Sequence, residues 1–333
     1  MEDTTNYRPL TETLIDCISR KYSYLCIREP EFDRVKRELR AGVGDIQDDT
    51  RYHHFVSEVL CLLRDGHIKF EDAQGKRVKT YKGRHQQNFN RQVTLNYLDQ
   101  FQSSGPITFG RLKGVEGIIY LGIDNFYREN NHSFNWFSAL EKPSEQRMIV
   151  DIRTNDGGSD SLVQQVVQSL LGRRGPFISR QVRRRTSETD PRALTDFTPE
   201  YITPAQGSRD CHYKISVLVG NHTFSAGELF AFDLSAIPGS TLVGDVTGGG
   251  SACQRRYLLD GPNPAVIAID FRKRPCELGA RFAVHIPSWL MYDRNYNLIQ
   301  DNGIKPDIVI PSDASIVDTR DLVLERAIEV LKS

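Results

Sequence analysis

The sequence has 333 residues, of which 39% are hydrophobic, and its 43 basic and 43 acidic side chains balance. This length allows one large domain or two moderate ones, and the balanced charge argues against a nucleic acid or an anionic membrane surface as a partner. No apolar run reaches the length of a membrane span, and the first residues lack an apolar signal core. The six cysteines have no metal-ligand spacing, so we expect no metal, and reduced thiols in a cytoplasmic protein.

The start of the chain, residues 1–67, predicts an N-terminal helical subdomain. Apolar residues recur at three- and four-residue steps in TETLIDCISRKYSYL, EFDRVKRELRAG and YHHFVSEVLCLLRDG. The following residues, 68–115, are polar and give only weak strand signals. We interpret them as a connecting segment.

From residue 116 to 333 the pattern changes to alternating strands and helices, which predicts an α/β fold. Short apolar, β-branched runs typical of buried strands occur in GIIYLGIDNF, RMIVDIR, KISVLVG and STLVGDV. Helical spacing marks SLVQQVVQSLLG, AGELFAFDLSAIPG and TRDLVLERAIEVLKS, and Gly172 is a natural C-cap for the first of these. Residues 180–208 are interpreted as an inserted loop, whose length indicates a lid or rim.

The stretch NHTFSAGELFAFDL, residues 221–234, begins a helix with a small Ser-Ala-Gly step directly after an apolar strand. One interpretation is a capping box, in which Ser225 and Glu228 satisfy the first turn of the helix. The other is a nucleophilic Ser225 at a strand-to-helix turn, where free N–H groups favour developing negative charge. Thr223 stands where the hydrolase motif G-x-S-x-G has its first glycine, so that motif is absent.

A glycine pair, Gly157-Gly158, follows the strand RMIVDIR and precedes a helix. Paired glycines let main-chain N–H groups approach a ligand closely, as an oxyanion hole requires, although a tight turn alone would also explain them. The sequence contains neither G-x-G-x-x-G nor a Walker A pattern at this place, and we expect no cofactor.

A serine hydroxyl needs a base to act as a nucleophile. His67, in LLRDGHIKF, falls on an Asp-Gly turn that we expect to be exposed, and turns on a rigid scaffold often carry catalytic groups. His222 is close to Ser225 in sequence, whereas His285 fits a strand histidine that is satisfied by its neighbours. These patterns alone do not bring His67 to Ser225.

Five segments together resemble the tail-specific, or C-terminal processing, protease family. They are DGH (65–67), IVDIRTNDGG (149–158), VLVGNHTFSAGELFA (217–231), LVGDVTGGGS (242–251) and DNGIKPDIVI (301–310), in the order of that family. The resemblance implies a Clp-protease/crotonase-like core of repeated β-β-α units, with Ser225 as the nucleophile. It also implies an oxyanion hole built from the amides of Ala226, Gly157 and Gly158.

The base distinguishes two branches of this family. The bacterial processing branch uses a lysine at the position of Gly250, so a Ser-Lys dyad is not expected here. The branch of the tricorn core protease and the retinoid-binding-protein-like members uses a histidine from an early D-G-H-like turn, which His67 matches. Residues 68–115 are too few for the PDZ domain that processing proteases usually carry.

Two positions depart from the tricorn-like pattern. That branch has a serine before its histidine and a glutamate three residues before the glycine of GxxPD, where this sequence has Gly66 and Gln300. A glutamine can orient a histidine by accepting its N–H, but it cannot stabilise imidazolium by charge. Asp301 and Asp65 are the alternative groups for this role.

The resemblance predicts a serine hydrolase that cleaves peptide bonds, or transfers an acyl group on a specialised peptide or ester, with His67 as the general base. The alternative is a non-catalytic protein of the same fold that binds a hydrophobic ligand or a peptide.

Arg183 and Arg185 share one face if RQVRRR is a strand. They then either grip a substrate carboxylate or protect a solvated edge. The expected partner is a peptide or small acyl substrate, and a homo-oligomer is compatible with the sequence.

Overall fold

The computed structural model describes residues 6–79, 81, 89–130, 147–207, 212–250, 253–259, 266–267, 273–311 and 317–333, with the backbone alone at 79, 100, 266 and 267. Ser208 and Ser251, the last residues of two segments discussed above, lie outside this set. The chain divides into two compact units. The first comprises Met1–Gly83, Val182–Thr198 and Ala252–Leu290, and the second comprises Arg84–Gln181, Pro199–Ser251 and Met291–Ser333.

Helices and strands follow one another along the chain in a mixed α/β order. The α-helices are α1 (Arg8–Lys21), α2 (Leu25–Gly42), α3 (Asp49–Leu60), α4 (Arg91–Asn96), α5 (Asp160–Leu171), α6 (Ala226–Ser235) and α7 (Leu322–Lys332). The strands are β1 (Lys69–Asp72), β2 (Arg77–Lys79), β3 (Leu98–Ser104), β4 (Ile107–Leu112), β5 (Ile118–Ile123), β6 (Arg147–Asp151), β7 (Phe177–Arg183), β8 (Thr198–Ile202), β9 (Lys214–Val219), β10 (Ser240–Gly244), β11 (Gln254–Leu259), β12 (Val266–Ile267), β13 (Phe282–Pro287), β14 (Leu290–Tyr292) and β15 (Ile308–Val309).

The first unit combines the N-terminal helices with an antiparallel sheet in the order β12-β11-β13-β1-β2. Helix α1 packs on β11 and β13, and α3 packs on β1. Tyr52 meets Phe70 and Phe282 edge-on, with ring centroids 6.0 and 5.2 Å apart, in the apolar layer between helices and sheet. The three helices confirm the helical pattern predicted for the segment 1–67.

The second unit is built on a seven-stranded sheet in the order β15-β10-β9-β6-β5-β4-β3. Strands β3, β4 and β5 pair with one another in antiparallel fashion. The remaining pairs of this sheet, β5-β6, β6-β9, β9-β10 and β10-β15, are parallel. One apolar cluster holds residues of α5 and α6, and another holds residues of α7. Because both faces of the sheet are covered, β6 and β9 are apolar along almost their whole length.

The predicted elements after residue 116 are present. Strands β5, β6, β9 and β10 and helices α5, α6 and α7 occupy the segments that the apolar patterns indicated, and Gly172 is the C-cap of α5. The described residues of the polar segment 68–115 form four strands and a helix, which is more regular structure than their composition indicated. β1 pairs with β13, near the other end of the chain, so its strand character depends on a distant partner. The proposed division at residues 67 and 115 stays a prediction.

A third sheet has the order β14-β7-β8. Its strands β7 and β8 occupy part of the segment 180–208 that the sequence indicated as an inserted loop. None of the helices in the described part of the chain has the length and apolar character needed to span a membrane.

Candidate active site

Ser225 lies in the turn between β9 and α6, in the second unit. It is the N-cap of α6, with a positive φ of 56° and a ψ of −120°, a conformation rarely adopted by residues other than glycine. Its carbonyl oxygen accepts the amide of Leu229 at 3.0 Å and so begins the helix. Strained backbone of this kind persists only where its surroundings enforce it, and it is concentrated at functional sites.

The capping-box interpretation of Ser225 and Glu228 is wrong. The Ser225 side chain makes no capping hydrogen bond. The fully buried Glu228 carboxylate instead accepts hydrogen bonds from Thr247 Oγ1 at 2.5 Å, Gly249 N at 2.8 Å and Gly250 N at 2.9 Å. A buried carboxylate needs several donors, and this loop supplies three, so Glu228 anchors the loop rather than the helix end.

The anchored loop in turn holds the nucleophile turn. Gly250 O accepts the amide of Ser225 at 3.1 Å, and Gly248 N donates to Thr223 O at 2.8 Å. A Cβ on Gly250 would lie 2.0 Å from the ring of Phe224. The close packing therefore leaves no room for a lysine at position 250, which gives a physical reason for the glycine there.

The glycine pair 157–158 lies against the same turn. Both residues have positive φ, 115° and 139°. A Cβ on Gly157 would meet Ser225 Cβ at 2.7 Å, and a Cβ on Gly158 would lie 2.2 Å from the carbonyl carbon of Phe126. Phe126 N donates to Gly157 O at 2.8 Å, and Ser159 N donates to Phe126 O at 2.7 Å, which fixes the turn on both sides. Only glycine fits at either position.

The main-chain amides of this region differ in whether they donate a hydrogen bond within the protein. Gly157 N donates to Asn155 Oδ1 at 3.1 Å. The amides of Gly158 and Ala226 donate to no residue that the structure describes. Ala226 N is 3.3 Å from the position that a Cβ on Gly157 would take, so this amide lies at the glycine pair. The turn thus combines a serine with amide donors that are available to an anion.

Asn155 was not identified from the sequence as a site residue, yet it contacts both turns. It is fully buried, its Nδ2 donates to Ile123 O at 3.0 Å, and its main-chain oxygen accepts Phe224 N at 2.9 Å. The sequence offered one signal, a polar residue two positions before the glycine pair. That signal is weak, because asparagine is common in turns.

Gln300 lies in the same unit, in a turn that is hydrogen-bonded to the loop 247–250, called the glycine loop below. Asp301 N donates to Gly249 O at 2.8 Å. The Gln300 side chain is buried and its Nε2 donates to Asp301 Oδ1 at 3.3 Å. Its Oε1 accepts no hydrogen bond from any residue in the described ranges. This carbonyl oxygen is therefore available to orient an N–H donor.

His67 belongs to the first unit, and its expected exposure is wrong, because only 1% of the residue is exposed. Asp65 Oδ1 accepts the His67 amide at 2.8 Å, and Asp65 Oδ2 accepts the Tyr22 hydroxyl at 2.8 Å, which folds the turn inward. His67 Nδ1 is 4.0 Å from Asp65 Oδ1. Burial, together with the charge of Lys69, lowers the pKa of His67 to about 3. The polar sequence Asp-Gly-His did not indicate that this turn is buried.

Of the other histidines considered, His285 is a satisfied strand histidine, as predicted. Its Nε2 lies 2.8 Å from Glu71 Oε2, and the same carboxylate accepts two N–H groups of the Arg256 guanidinium at 2.9 Å. Burial lowers the pKa of His285 despite the opposing effect of Glu71. His285 is thus engaged in a buried ion cluster of the first unit.

The two arginines proposed for carboxylate binding are both held by main-chain carbonyl groups. Arg183 Nε donates to Thr195 O at 2.7 Å, and its guanidinium lies 4.9 Å from the ring centre of Phe197. Arg185 donates to the carbonyl oxygens of Ser19, Tyr22 and Glu188. Their role toward a substrate stays a prediction.

In the described ranges no three His, Cys, Asp or Glu side chains are grouped to hold a metal ion.

Comparison with known proteins gives the context of this arrangement. The sequence profile of peptidase family S41 matches residues 117–310. The chain is similar in structure to a peptidase candidate from Parabacteroides merdae, with 21% identity over 99% of this chain and 98% of that one and a TM-score of 0.75.

Two further solved structures share the fold. The photosystem II D1 C-terminal processing protease is 14% identical over 99% of this chain and 98% of that one, with a TM-score of 0.55. The tricorn protease is 14% identical over 94% of this chain and 35% of that one, with a TM-score of 0.54. No curated protein sequence matches the chain.

Proposed function

Because the chain belongs to peptidase family S41, we propose that it is a serine hydrolase that cleaves peptide bonds or transfers the acyl group of a specialised peptide or ester. Ser225 is the nucleophile in this proposal, and a peptide or small acyl compound is the substrate. The amides of Gly158 and Ala226 stabilise the oxyanion. Gly157, whose own amide is engaged by Asn155, contributes the space beside Ser225.

One observation carries this proposal. Ser225 has a strained, positive-φ conformation at the start of α6, and the amides of Gly158 and Ala226 in the adjoining turns donate to no described residue. Attack of the serine oxygen on a carbonyl places negative charge on the carbonyl oxygen, and preorganised amides stabilise that charge without reorganising. Every helix start leaves amides such as that of Ala226 without a partner, but a purely structural turn has no need of the second one, Gly158 N, beside a strained serine.

His67 is the proposed general base, on the strength of its DGH motif. It takes the proton of the Ser225 hydroxyl and returns it to the leaving group. Gln300 Oε1 is the proposed acceptor for an imidazole N–H, since it is buried and accepts no hydrogen bond from the described residues. A base with a pKa of about 3 is neutral at pH 7, as the role requires, but weak. We therefore expect slow turnover.

The finer architecture is also part of the proposal. The parallel strands β5, β6, β9 and β10, with a helix after β6 and another after β9, support a Clp-protease/crotonase-like core. Membership of the tricorn-like branch is supported by the glycine at position 250, where a lysine cannot fit. The cytoplasmic location and the homo-oligomer stay predictions.

One observation favours a second function, that of a non-catalytic binding protein on this fold. His67 is buried with a strongly lowered pKa, and glutamine stands in place of the family glutamate, so both groups of the proposed base are weakened. A binder needs neither a base nor the two available amides. The two functions therefore differ in whether Ser225 reacts.

The experiment compares hydrolysis of fluorogenic casein and of p-nitrophenyl butyrate by the wild type, Ser225→Ala and Ser235→Ala. Ser235 lies at the other end of α6, where its hydroxyl donates to Phe232 O at 2.8 Å, so it is a matched serine with only a structural bond. Loss of turnover in Ser225→Ala alone is expected. Equal rates in Ser225→Ala and the wild type would exclude Ser225 as the nucleophile, and no turnover by any of the three would favour the binder.

A further inference from the structure

Asn155 is the residue through which the two turns of the proposed site are connected. Its side chain bridges the glycine turn and the end of β5, through Gly157 N at 3.1 Å and Ile123 O at 3.0 Å. Its main chain bridges the end of β6 and the nucleophile turn, through Ile152 O at 3.0 Å and Phe224 N at 2.9 Å. All four hydrogen bonds are made by one fully buried residue.

The first turn of α6 is shaped to contact Asn155. A Cβ on Gly227 would lie 2.6 Å from the main-chain oxygen of Asn155 and 2.9 Å from its Oδ1. Gly227 is therefore the residue that allows the helix start to approach the asparagine. As a result, Asn155 touches the segment before Ser225 and the segment after it.

The hydrogen bond from Gly157 N to Asn155 also determines which amide of the glycine pair is available to bind an oxyanion. Of the two successive amides of the glycine pair 157–158, Asn155 Oδ1 accepts the first, Gly157 N. The second, Gly158 N, donates to no residue in the described part of the chain. An acceptor at Asn155 thus orients the turn so that Gly158 is the donor left for an oxyanion.

We propose that Asn155 is a positioning residue that holds the Gly158 amide and the Ser225–Ala226 turn in the geometry that stabilises the oxyanion. This inference rests on the proposed hydrolase function. Preorganised donors lose most of their effect when displaced by a fraction of an ångström to an ångström, and loss of one donor lowers kcat about 10²- to 10³-fold. The loss appears in kcat rather than in KM, because the interaction exists only in the transition state.

The test uses Asn155→Ala, Asn155→Asp and Val150→Ala. Val150 is a fully buried residue of β6 whose strand partners are Leu121 and Val217, and its truncation is expected to lower the melting temperature. For each protein, kcat and KM are measured with p-nitrophenyl butyrate, together with the rate of labelling by a fluorophosphonate probe and the melting temperature. The aspartate variant keeps an acceptor for Gly157 N but cannot donate to Ile123 O, so it separates the bond to Gly157 N from the bond to Ile123 O.

We expect Asn155→Ala to lower kcat and the labelling rate about 10²-fold with little change in KM. Asn155→Asp should regain at least about tenfold of this loss, and Val150→Ala should react like the wild type despite its lower melting temperature. Labelling of Asn155→Ala at the rate of Val150→Ala overturns the inference. If Asn155→Ala does not fold, Asn155→Ser is measured in its place against Val150→Ala: a loss of kcat with KM unchanged supports the inference, and labelling at the rate of Val150→Ala overturns it. A wild type that is never labelled overturns the proposed function, and this inference with it.

Discussion

The α-carbon of Gly157 lies against the side chain of Ser225, so closely that a Cβ on Gly157 would be 2.7 Å from Ser225 Cβ and 3.2 Å from its Oγ. The two residues come from turns that follow β6 and β9, which are neighbours in the sheet with parallel register. Loops at the carboxyl ends of adjacent parallel strands meet at one edge. The sheet therefore places the glycine pair beside the serine, although the two segments are far apart in the sequence.

Replacing Gly157 by alanine should abolish most of the activity. The new Cβ collides with Ser225, and the φ of 115° is strained for any residue other than glycine. We expect kcat for p-nitrophenyl butyrate to fall at least about 10²-fold. Gly114→Ala is the control, since Gly114 also has a positive φ of 63° but no atom near the added Cβ. Comparable losses in both variants would show that backbone strain alone explains the effect.

Replacing Glu228 by alanine should destabilise the protein much more than loss of a capping box would. Its buried carboxylate accepts three hydrogen bonds from the loop that holds the Ser225 amide. Leaving those donors unpaired should lower the free energy of unfolding by about 3 kcal/mol or more, against about 1 kcal/mol for a cap. Urea unfolding measures the difference, with the exposed Glu329→Ala as the control. A loss of about 1 kcal/mol or less would contradict the anchoring role.

The activity should persist in acid to an unusual degree. A general base works only when unprotonated, so the rate falls as the pH drops through its pKa. Burial lowers the pKa of His67 to about 3, well below the ordinary imidazole value of 6.5. We therefore expect kcat/KM to stay nearly constant from pH 7 to pH 5 while the protein is folded. A decline centred near pH 6.5 would show that His67 is solvated in the working enzyme, or that another histidine is the base.

Burial of the same histidine should also make the folded protein less stable as the pH falls. Between pH 6.5 and pH 3 the unfolded chain binds a proton at His67 that the folded chain does not, so the stabilisation is complete above pH 6.5 and is lost as the pH falls. At pH 4.5 this loss amounts to about 2–3 kcal/mol relative to pH 7.5. In His67→Leu it should be absent.

The measurement is urea unfolding at both pH values for the wild type, His67→Leu and His54→Leu, a replacement of an exposed histidine in α3. Other titrating groups cancel when the variants are compared with the wild type. If His67→Leu is as sensitive to acid as the wild type, the histidine is not buried in its neutral form.

The sequence predicted the elements whose apolar pattern is local. The β-branched runs of β6 and β9 and the amphipathic α5 and α7 follow from periodicity alone, because each buries its own apolar residues on a sheet covered on both faces. Strand β1 is different. Its residues Lys69–Asp72 are mostly polar, and they form a strand because they pair with residues 282–285.

The site residues divide in the same way. Ser225 and the glycine pair were visible because each stands in the turn between a buried strand and a helix. The capping box, one of the two interpretations of Ser225 and Glu228, is wrong, because two donors to Glu228 are the amides of Gly249 and Gly250, further along the chain, where no local rule could find them. Asn155 was overlooked for the same reason, because its importance comes from contacts with Phe224 and Gly227 on another strand's turn. The turn that contains His67 has a polar sequence, and its burial depends on the surrounding fold rather than on its own residues.

The central claim, that Ser225 is a nucleophile, is tested most directly by the site of covalent modification. The wild type is treated with a fluorophosphonate, digested and mapped by peptide mass spectrometry, with Ser235→Ala and Ser225→Ala treated in parallel. The proposed mechanism predicts a single phosphonylated residue, Ser225, in the wild type and in Ser235→Ala, and no modification in Ser225→Ala. A folded wild type in which Ser225 stays unmodified, or in which another residue carries the label equally in Ser225→Ala, would contradict it.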